Sequence, residues 1–256
     1  MSEIITERSG SILRVHFNRP EKKNAMTSSM YLKMANILND AAKDDHVHVV
    51  LWYGAGDSFC AGNDMEDLMK NITDRYYIDA QISLFNALSN FGKPLVAAVH
   101  GAAIAAGTTM LTHCDFVYAG ESAEFQMPYV NRAFVPEFGT TFSVPARIGH
   151  IRAAELILLG ESFDAKRAAD IGLVTRVVPD EKLLATATEI AQKLAEKPSG
   201  ALQACKRLMK QSSREQVEQA AKNENDELTL RFHSADGKEA LNAFLEKRPP
   251  NFTREE

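Results

Sequence analysis

The sequence has few cysteines, no long apolar segment and no large excess of charge of either sign. Its 256 residues include three cysteines (Cys60, Cys114 and Cys205), which are too few for a disulfide framework and indicate a reducing compartment. No window approaches eighteen uninterrupted apolar residues, so no membrane-spanning helix is predicted. The 29 basic and 34 acidic side chains give a net charge of −5, which argues against a nucleic-acid-binding protein.

The two ends of the sequence carry no recognisable targeting signal. The first residues, MSEIITERSG, lack a basic segment followed by an apolar one, and the last residues, TREE, are not a peroxisomal signal of the SKL type. Hydrophobic residues make up 45% of the chain, which is ordinary for a globular protein of this size. We therefore expect a cytoplasmic protein with a sizeable core.

Several catalytic and nucleotide-binding motifs are missing as well. The sequence contains no GxxxxGK[ST], no HExxH, no CxxC and no GxSxG. Gly54-Ala55-Gly56 follows an apolar run, but it lacks the third glycine of a dinucleotide-binding loop and is predicted to be a turn. No metal site is predicted.

Short apolar runs alternate with helical patterns through the first part of the chain, which predicts an α/β fold. Residues 94–99 form a continuous apolar run, typical of a strand that is covered on both faces in a parallel sheet. The other strands are expected at 12–17, 49–53, 114–118 and 173–178, and the helices at about 28–41, 73–90, 153–159 and 164–171.

Beyond Pro179 the pattern is almost entirely helical. Helices are expected at about 181–196, 198–210, 214–232 and 235–247, and Ser213 and Gln216 have the spacing of a capping box. The predicted organisation is an α/β core over residues 1–195 and a helical region over 196–256. Because a helical tail rarely buries its apolar stripe alone, we expect this region to form an oligomer interface.

Two segments rich in small residues follow predicted strands, at positions 58–64 and 100–109. The carboxyl ends of strands are where open α/β sheets bind ligands, and free N–H groups at a helix start suit an anion or a polarised carbonyl oxygen. Close packing of a helix on a strand would require the same small residues. Neither segment decides between these explanations alone.

Taken together, these segments resemble the crotonase (enoyl-CoA hydratase/isomerase) superfamily. Residues 18–26 (NRPEKKNAM) resemble its CoA-binding signature, 59–64 (FCAGND) its first oxyanion-hole loop, and 93–107 the strand and glycine turn of the second. Cys114-Asp115, Ala168 with Gly172-Leu173-Val174, and the ending AFLEKR at 243–248 match further family segments. The resemblance covers nearly the whole chain.

The resemblance implies a spiral of ββα units with a C-terminal helical region, usually assembled as trimers or dimers of trimers. It implies an acyl-CoA substrate and no separate cofactor, since coenzyme A is part of the substrate. The shared chemistry is stabilisation of an enolate by two backbone N–H groups, which at the matching positions belong to Asn63 and Ala106. Many relatives have glycine where this chain has Ala106, but only the backbone is needed.

The resemblance also implies a set of residues that bind the substrate around these donors. Arg19, Lys22, Lys23 and Lys247 carry charges that could meet the CoA phosphates, although a solvated charged face explains each of them equally well. The expected contacts of the loops themselves are Asn24, Ala25, Ala61, Gly62, Asp64 and Gly107.

The acid and base groups decide which reaction is expected. Hydratases of this family use two glutamates, since adding water requires both activation of the water and protonation of carbon 2. The matching positions here are Thr109 and Tyr129, and neither is a carboxylate. Ordinary hydratase activity is therefore not expected.

A carboxylate follows a few residues later, at Glu137. The run VPEFGTT at 135–141 resembles the Pro-Glu-Gly segment of the Δ3,Δ2-enoyl-CoA isomerase branch, in which that glutamate is the catalytic base, with Phe138 as an insertion. An acid in the first turn of a helix is also common for electrostatic reasons. An apolar wall is expected to raise the pKa of Glu137, and Phe134 and Phe138 are candidates for it, although a place in the core would explain either of them as well.

Other functions remain open from the sequence. Thioester hydrolysis, dienoyl-CoA isomerisation or hydration through other groups would use the same fold. A protein that binds acyl-CoA without turnover belongs to a different class, and the matched oxyanion loops and Glu137 argue against it.

Overall fold

The computed structural model describes residues 2–71 and 75–252, and these form the predicted α/β fold with a C-terminal helical region. The strands are β1 (Ile4–Ser9), β2 (Ile12–Phe17), β3 (Val49–Gly54), β4 (Leu95–Val99), β5 (Ala102–Ile104), β6 (Phe116–Gly120), β7 (Glu124–Gln126), β8 (Ser162–Asp164) and β9 (Arg176–Val178). The main sheet has the order β1-β2-β3-β4-β6-β9, and all its neighbours are parallel except β1 and β2. A second sheet has the order β5-β7-β8.

The helices follow the strands in the order that the sequence pattern predicts. They are α1 (Ser28–Lys43), α2 (Met65–Asn71), α3 (Tyr76–Asn90), α4 (Ala106–Thr109), α5 (Thr140–Ile148), α6 (His150–Ala154), α7 (Ala165–Asp170), α8 (Asp180–Ala195), α9 (Ser199–Gln211), α10 (Arg214–His233) and α11 (Ala235–Leu245). Short 3₁₀ turns lie at Pro20–Lys22, Met110–His113 and Val130–Arg132, and a π-helical turn lies at Glu155–Leu159.

The main sheet is covered on both faces, which explains the continuous apolar runs of its central strands. Alternate residues of a strand point to opposite faces. Val50 and Trp52 accordingly belong to the main core, whereas Val49 and Leu51 face the apolar stripe of α8. That stripe consists of Leu183, Ala187, Ala191 and Leu194.

The C-terminal helices pack on the core of their own chain. Ala221, Leu228 and Phe232 of α10 belong to the main core, and the Lys206 ammonium of α9 forms an ion pair of 2.6 Å with Asp115. Leu208 and Met209 of α9 remain 63% and 72% exposed. An oligomer interface in region 196–256 therefore stays a prediction, and so does the boundary at residue 195.

Several details differ from the sequence-based expectations. β6 begins at Phe116, two residues after the expected Cys114, and the expected start of α3 at Thr73 lies outside the described residues. The capping box was wrong: the Ser213 backbone is already helical, and its hydroxyl donates to the Lys210 carbonyl at 3.3 Å. None of the helices in the described ranges combines the length and apolar character needed to cross a bilayer.

Candidate active site

The loops that follow β2 and β3 are joined by backbone hydrogen bonds. The Met26 N–H donates to the Gly62 carbonyl at 2.7 Å, and the Asp64 N–H donates back to the Met26 carbonyl at 2.8 Å. The Ala61 N–H donates to the Lys23 carbonyl at 2.9 Å. The predicted CoA-binding loop and the first predicted oxyanion loop therefore form one connected unit.

The second predicted oxyanion loop is attached to the first in the same way. The Cys60 N–H donates to the Ala102 carbonyl, and the Ile104 N–H donates to the Cys60 carbonyl, both at 2.9 Å. A Cβ atom on Gly107 would lie 2.2 Å from the Cys60 carbonyl oxygen, so no larger residue fits there. The small residues thus serve close packing, and this packing brings the two loops together.

The two predicted oxyanion donors lie in these joined loops. Within residues 2–71 and 75–252, neither the Asn63 N–H nor the Ala106 N–H donates a hydrogen bond to another group. Ala105, just before Ala106, has φ 51° and ψ −117°, a conformation that is strained for a residue with a side chain. Both N–H groups are therefore available to a ligand oxygen, and their role as donors stays a prediction.

Three of the predicted CoA-binding residues form the internal framework of the loops. The Arg19 guanidinium contacts the Asp64 carboxylate at 3.0 Å and the Glu3 carboxylate at 3.1 Å, and it donates to the Ala25 carbonyl at 2.6 Å. The buried Asn24 amide donates to the carbonyls of Ala55 and Ser58 at 2.8 and 2.7 Å. These contacts hold the loop in its shape from within the chain.

Asp64 also accepts hydrogen bonds at the start of α2. Its carboxylate accepts hydrogen bonds from the N–H groups of Glu66 and Asp67, each at 3.1 Å. Burial raises the pKa of Asp64, but the bonds from Asp67, Arg19 and Glu66 outweigh burial, and the net pKa is lowered. Asp64 is therefore an ionised residue that supports the loop.

The three lysines that could meet CoA phosphates are exposed and lie in two different regions. Lys22 forms a long ion pair of 3.6 Å with Glu66, and Lys23 lies beside it in the loop. Lys247 follows α11, and no hydrogen bond or ion pair in the described part of the chain links it to the loop at 19–26. Contact of these lysines with CoA phosphates therefore stays a prediction.

Glu137 lies in a tightly held turn just before α5. The next two residues, Phe138 and Gly139, both have positive φ, at 64° and 70°. The His113 ring bonds to the Phe138 carbonyl at 2.8 Å, and the Thr140 hydroxyl donates to the Glu137 carbonyl at 2.5 Å. The turn therefore fixes the direction in which the Glu137 side chain leaves the backbone.

The Glu137 carboxylate is buried and hydrogen-bonded on both oxygens. The Tyr129 hydroxyl donates to one oxygen at 3.0 Å, and the Gln81 amide donates to the other. Burial raises the pKa of Glu137 to about 7, although hydrogen bonds from Tyr129, Gln81 and Asn63 oppose the rise. The expectation of a raised pKa is met, and the group can exchange a proton near neutral pH.

The two residues that replace the hydratase glutamates belong to the same hydrogen-bonded chain. The Tyr129 hydroxyl lies 3.3 Å from the Thr109 hydroxyl as well as 3.0 Å from Glu137. Tyr129 thus links the Thr109 hydroxyl to the Glu137 carboxylate.

Sequence reasoning missed three polar residues around Glu137. Tyr77 and Gln81 lie one turn apart on α3, and the Gln81 amide donates to the Tyr77 hydroxyl at 3.1 Å. The Tyr31 hydroxyl of α1 donates to the Asn63 side chain. The sequence could have indicated Tyr77 and Gln81, because they are polar side chains on the otherwise apolar inner face of α3.

A small cavity of about 40 Å³ adjoins Glu137 and Asn63. Its wall is mostly apolar and comes from five elements or turns: Met65, Leu68, Tyr77, Ala105, Pro128, Tyr129, Arg132, Phe134, Leu228 and Phe232. Phe134 lies in this wall as expected and packs on Phe232 with ring centres 4.7 Å apart. Phe138 is not part of this wall: its ring packs against Tyr31 and His113, and it lines a second small cavity beside Glu137.

A larger cavity, of about 780 Å³, lies between α5 and α9. Its lining includes the cations Arg147, Lys206 and Lys210, but it contains none of the predicted site residues. The joined loops and Glu137 therefore define the candidate active site.

Comparison with known proteins agrees with this geometry. The chain is 34% identical to the 2,3-dehydroadipyl-CoA hydratase of Escherichia coli K12 and 32% identical to its 1,2-epoxyphenylacetyl-CoA isomerase, over 98% and 99% of this chain and 99% of each relative. It is 30% identical to the enoyl-CoA delta isomerase 2 of Rattus norvegicus, over 96% of this chain and 64% of that protein.

The solved structures agree with the fold. The enoyl-CoA hydratase/isomerase from Pseudoalteromonas atlantica T6c matches with a TM-score of 0.91 and 35% identity, over 98% of this chain and all of that one. The family model for enoyl-CoA hydratase/isomerase matches residues 7–255. The chain therefore belongs to the enoyl-CoA hydratase/isomerase family, with the crotonase fold.

Proposed function

We propose that the protein is a Δ3,Δ2-enoyl-CoA isomerase, which moves the double bond of a 3-enoyl-CoA to the 2-position. The observation that carries this proposal is the environment of Glu137: a buried carboxylate with a pKa of about 7 that shares a cavity with Asn63. The residues at the hydratase positions, Thr109 and Tyr129, are not carboxylates. One base is enough for isomerisation, because the same proton leaves and returns.

The proposed reaction begins with the thioester carbonyl between the N–H groups of Asn63 and Ala106. Glu137 removes a proton from carbon 2, and the electron pair of the C–H bond delocalises into a dienolate whose oxygen accepts both N–H groups. The protonated Glu137 then returns the proton to carbon 4, which leaves the double bond between carbons 2 and 3. No water is consumed.

The test is the conversion of 3-hexenoyl-CoA to the conjugated 2-enoyl thioester. The reaction is measured through the absorbance of this conjugated product. Glu137→Gln keeps the size of the side chain but cannot accept the proton, so kcat should fall by about 10²–10⁴-fold. The affinity for acyl-CoA should change little, because the oxyanion donors belong to the backbone.

Glu121→Gln is the matched control, since Glu121 is an exposed acid in the neighbouring loop and should leave kcat unchanged. A folded Glu137→Gln protein that keeps more than about a tenth of the activity would contradict the role of Glu137 as the base.

Hydration of a 2-enoyl-CoA is the second candidate, because the 34% identical relative is named a hydratase. It would have to proceed without carboxylates at positions 109 and 129. Faster turnover of crotonyl-CoA hydration than of 3-enoyl isomerisation would favour this alternative.

A further inference from the structure

The cavity beside Glu137 has one cationic side chain among the described residues that line it, and that side chain is Arg132. Arg132 ends the 3₁₀ turn Val130–Arg132, three residues after Tyr129. Its neighbours in the wall are apolar and include Phe134, Leu228 and Phe232. A guanidinium in such a wall is unusual, since apolar acyl chains need no charge for binding.

Arg132 also has no counter-ion among the residues that the structure describes. Other arginines of this chain contact carboxylates, as Arg19 does with Asp64 and Arg167 with Glu155. Within residues 2–71 and 75–252, the Arg132 side chain forms neither an ion pair nor a hydrogen bond. Loss of hydration lowers its pKa, and the one opposing influence comes from Tyr129.

The position of Arg132 indicates where an anion of the ligand would lie. The thioester is placed at Asn63 and Glu137, so the rest of the acyl chain must follow the apolar wall of the same cavity. Arg132 is exposed, which puts it where that wall meets the surface. Arg132 lines the cavity in which the acyl chain is placed, so the group that reaches it is assigned to the acyl side.

We propose that Arg132 binds a carboxylate at the far end of the acyl chain, so that the substrate is the CoA thioester of a dicarboxylic acid. A guanidinium presents two parallel N–H donors that match the two oxygens of a carboxylate. The proposal rests on the proposed function, because the acyl chain must occupy the cavity beside Glu137.

The test is isothermal titration calorimetry with saturated acyl-CoA thioesters, which bind but cannot be isomerised. Adipoyl-, suberoyl- and sebacoyl-CoA are compared with hexanoyl-, octanoyl- and decanoyl-CoA, so that each pair differs mainly in the distal carboxylate. At one chain length or more, the wild-type protein should bind the diacid thioester at least about tenfold more tightly.

Variants assign this preference to Arg132. Arg132→Leu and Arg132→Gln should both abolish it, and Arg132→Leu should bind the monoacid thioesters at least as well as the wild type. Arg152→Leu is the matched control, because Arg152 is an exposed arginine of α6 outside the cavity, and it should keep the preference.

Two results would overturn the proposal: equal affinity within every pair, or a preference that survives both substitutions of Arg132. Because binding of saturated ligands needs no turnover, failure of the isomerase assay alone would refute the proposed function and leave the assignment of Arg132 in place.

Discussion

At the scale of single residues, the chemistry of Glu137 depends on two donors that come from different parts of the chain. Tyr129 precedes it by eight positions, whereas Gln81 belongs to α3, 56 positions earlier. Both donors favour the ionised form, and burial opposes it. The resulting pKa of about 7 suits a group that must both accept and return a proton near neutral pH.

The first prediction concerns the pH dependence of isomerisation. Glu137 must be ionised to accept the proton, so kcat/KM should rise with pH and reach half its maximum near pH 7. Tyr129→Phe removes a hydrogen bond that lowers the pKa of Glu137, so the midpoint should move to higher pH by about one unit.

Stopped-flow or steady-state rates between pH 5 and 9 would measure both midpoints. Tyr53→Phe is the control, since Tyr53 stacks on His16 in the sheet and should leave the profile unchanged. An unshifted or lower midpoint in Tyr129→Phe would contradict this assignment of the hydrogen bond.

The second prediction is that Glu137 lowers the stability of the fold at and above neutral pH. Its pKa is about 7 in the folded protein and near 4.5 when unfolded, so the folded state binds the proton more tightly. The stabilising contribution of the protonated Glu137 carboxyl to the folded state is complete below pH 4.5. It is lost as the pH rises through 7, where the buried carboxyl ionises.

Glutamine does not titrate and should avoid this loss. Gln81 has a buried side-chain oxygen without a partner, so a flip of its amide would let it accept a bond from the new carboxamide. Glu137→Gln should therefore be more stable than the wild type at pH 8 by up to about 3 kcal/mol, and by much less at pH 5. Urea unfolding at both pH values would measure this, and a gain that shrinks between pH 5 and pH 8 would be inconsistent with it.

At this scale the sequence predicts residues that lie in contiguous motifs, and it does not predict contacts between positions far apart in the chain. Glu137, Asn63 and Ala106 lie in motifs that are contiguous in the chain, so matching segments are enough to predict a role for them. The contacts of Tyr31 with Asn63 and of Gln81 with Glu137 join positions 32 and 56 residues apart, and only the packing of α1 and α3 creates them. Arg19 was a candidate for phosphate contact or for a solvated face, and its guanidinium instead pairs with the carboxylates of Glu3 and Asp64.

At the scale of elements, α10 holds the turn that carries Glu137. The buried Glu224 carboxylate accepts the Gly139 N–H at 2.7 Å, the Thr141 N–H at 2.6 Å and the Thr141 hydroxyl at 2.7 Å. It thereby satisfies donors at the start of α5 and fixes the turn formed by Phe138 and Gly139.

The third prediction tests this link between α10 and the base. Glu224→Gln replaces one acceptor oxygen with a donor that faces N–H groups, so the turn should shift. We expect a loss of about 1–3 kcal/mol of stability and a fall in kcat of about tenfold or more, with little change in KM. Glu227→Gln, which removes an exposed ion pair with Arg231 on the same helix, is the control and should change neither quantity appreciably. Wild-type kcat in a folded Glu224→Gln protein would rule out the positioning role.

Elements with strong periodicity were predicted from the sequence, and elements stabilised by distant contacts were not. The long helices α8 to α11 and the apolar strands β2, β3 and β4 lie within a few residues of their expected bounds. β5, β7 and β8 have three residues each and form because their segments pair, with β7 between the other two. β1 contains Thr6, Glu7 and Arg8, and it is an edge strand whose polar composition hides it.

At the scale of the whole molecule, the site draws on both parts of the chain. Leu228 and Phe232 of α10 complete the cavity wall, and Lys206 of α9 joins the core through Asp115. The helical region therefore contributes to the candidate site, in addition to any role in assembly. The two relatives from Escherichia coli match over 98% and 99% of this chain, so the similarity includes both the α/β core and the helical region.

The last prediction concerns assembly. Leu208 and Met209 lie on α9 with 63% and 72% of their surface exposed, and Leu230 of α10 is 61% exposed. Exposed apolar side chains favour burial against another copy of the chain, and closed symmetry is the usual outcome. We expect a trimer or a dimer of trimers, so sedimentation equilibrium at micromolar concentration should give three or six times the chain mass of 28.3 kDa.

The variant Leu208→Lys with Met209→Lys should weaken this assembly, because it places charges in an interface that must lose water. Leu184→Lys, an equally apolar and 41% exposed site on α8 outside the 196–256 region, is the matched control and should leave the mass unchanged. A wild-type protein that sediments only as a 28.3 kDa monomer would refute the interface. A double variant that keeps the wild-type mass would place the interface elsewhere than on α9.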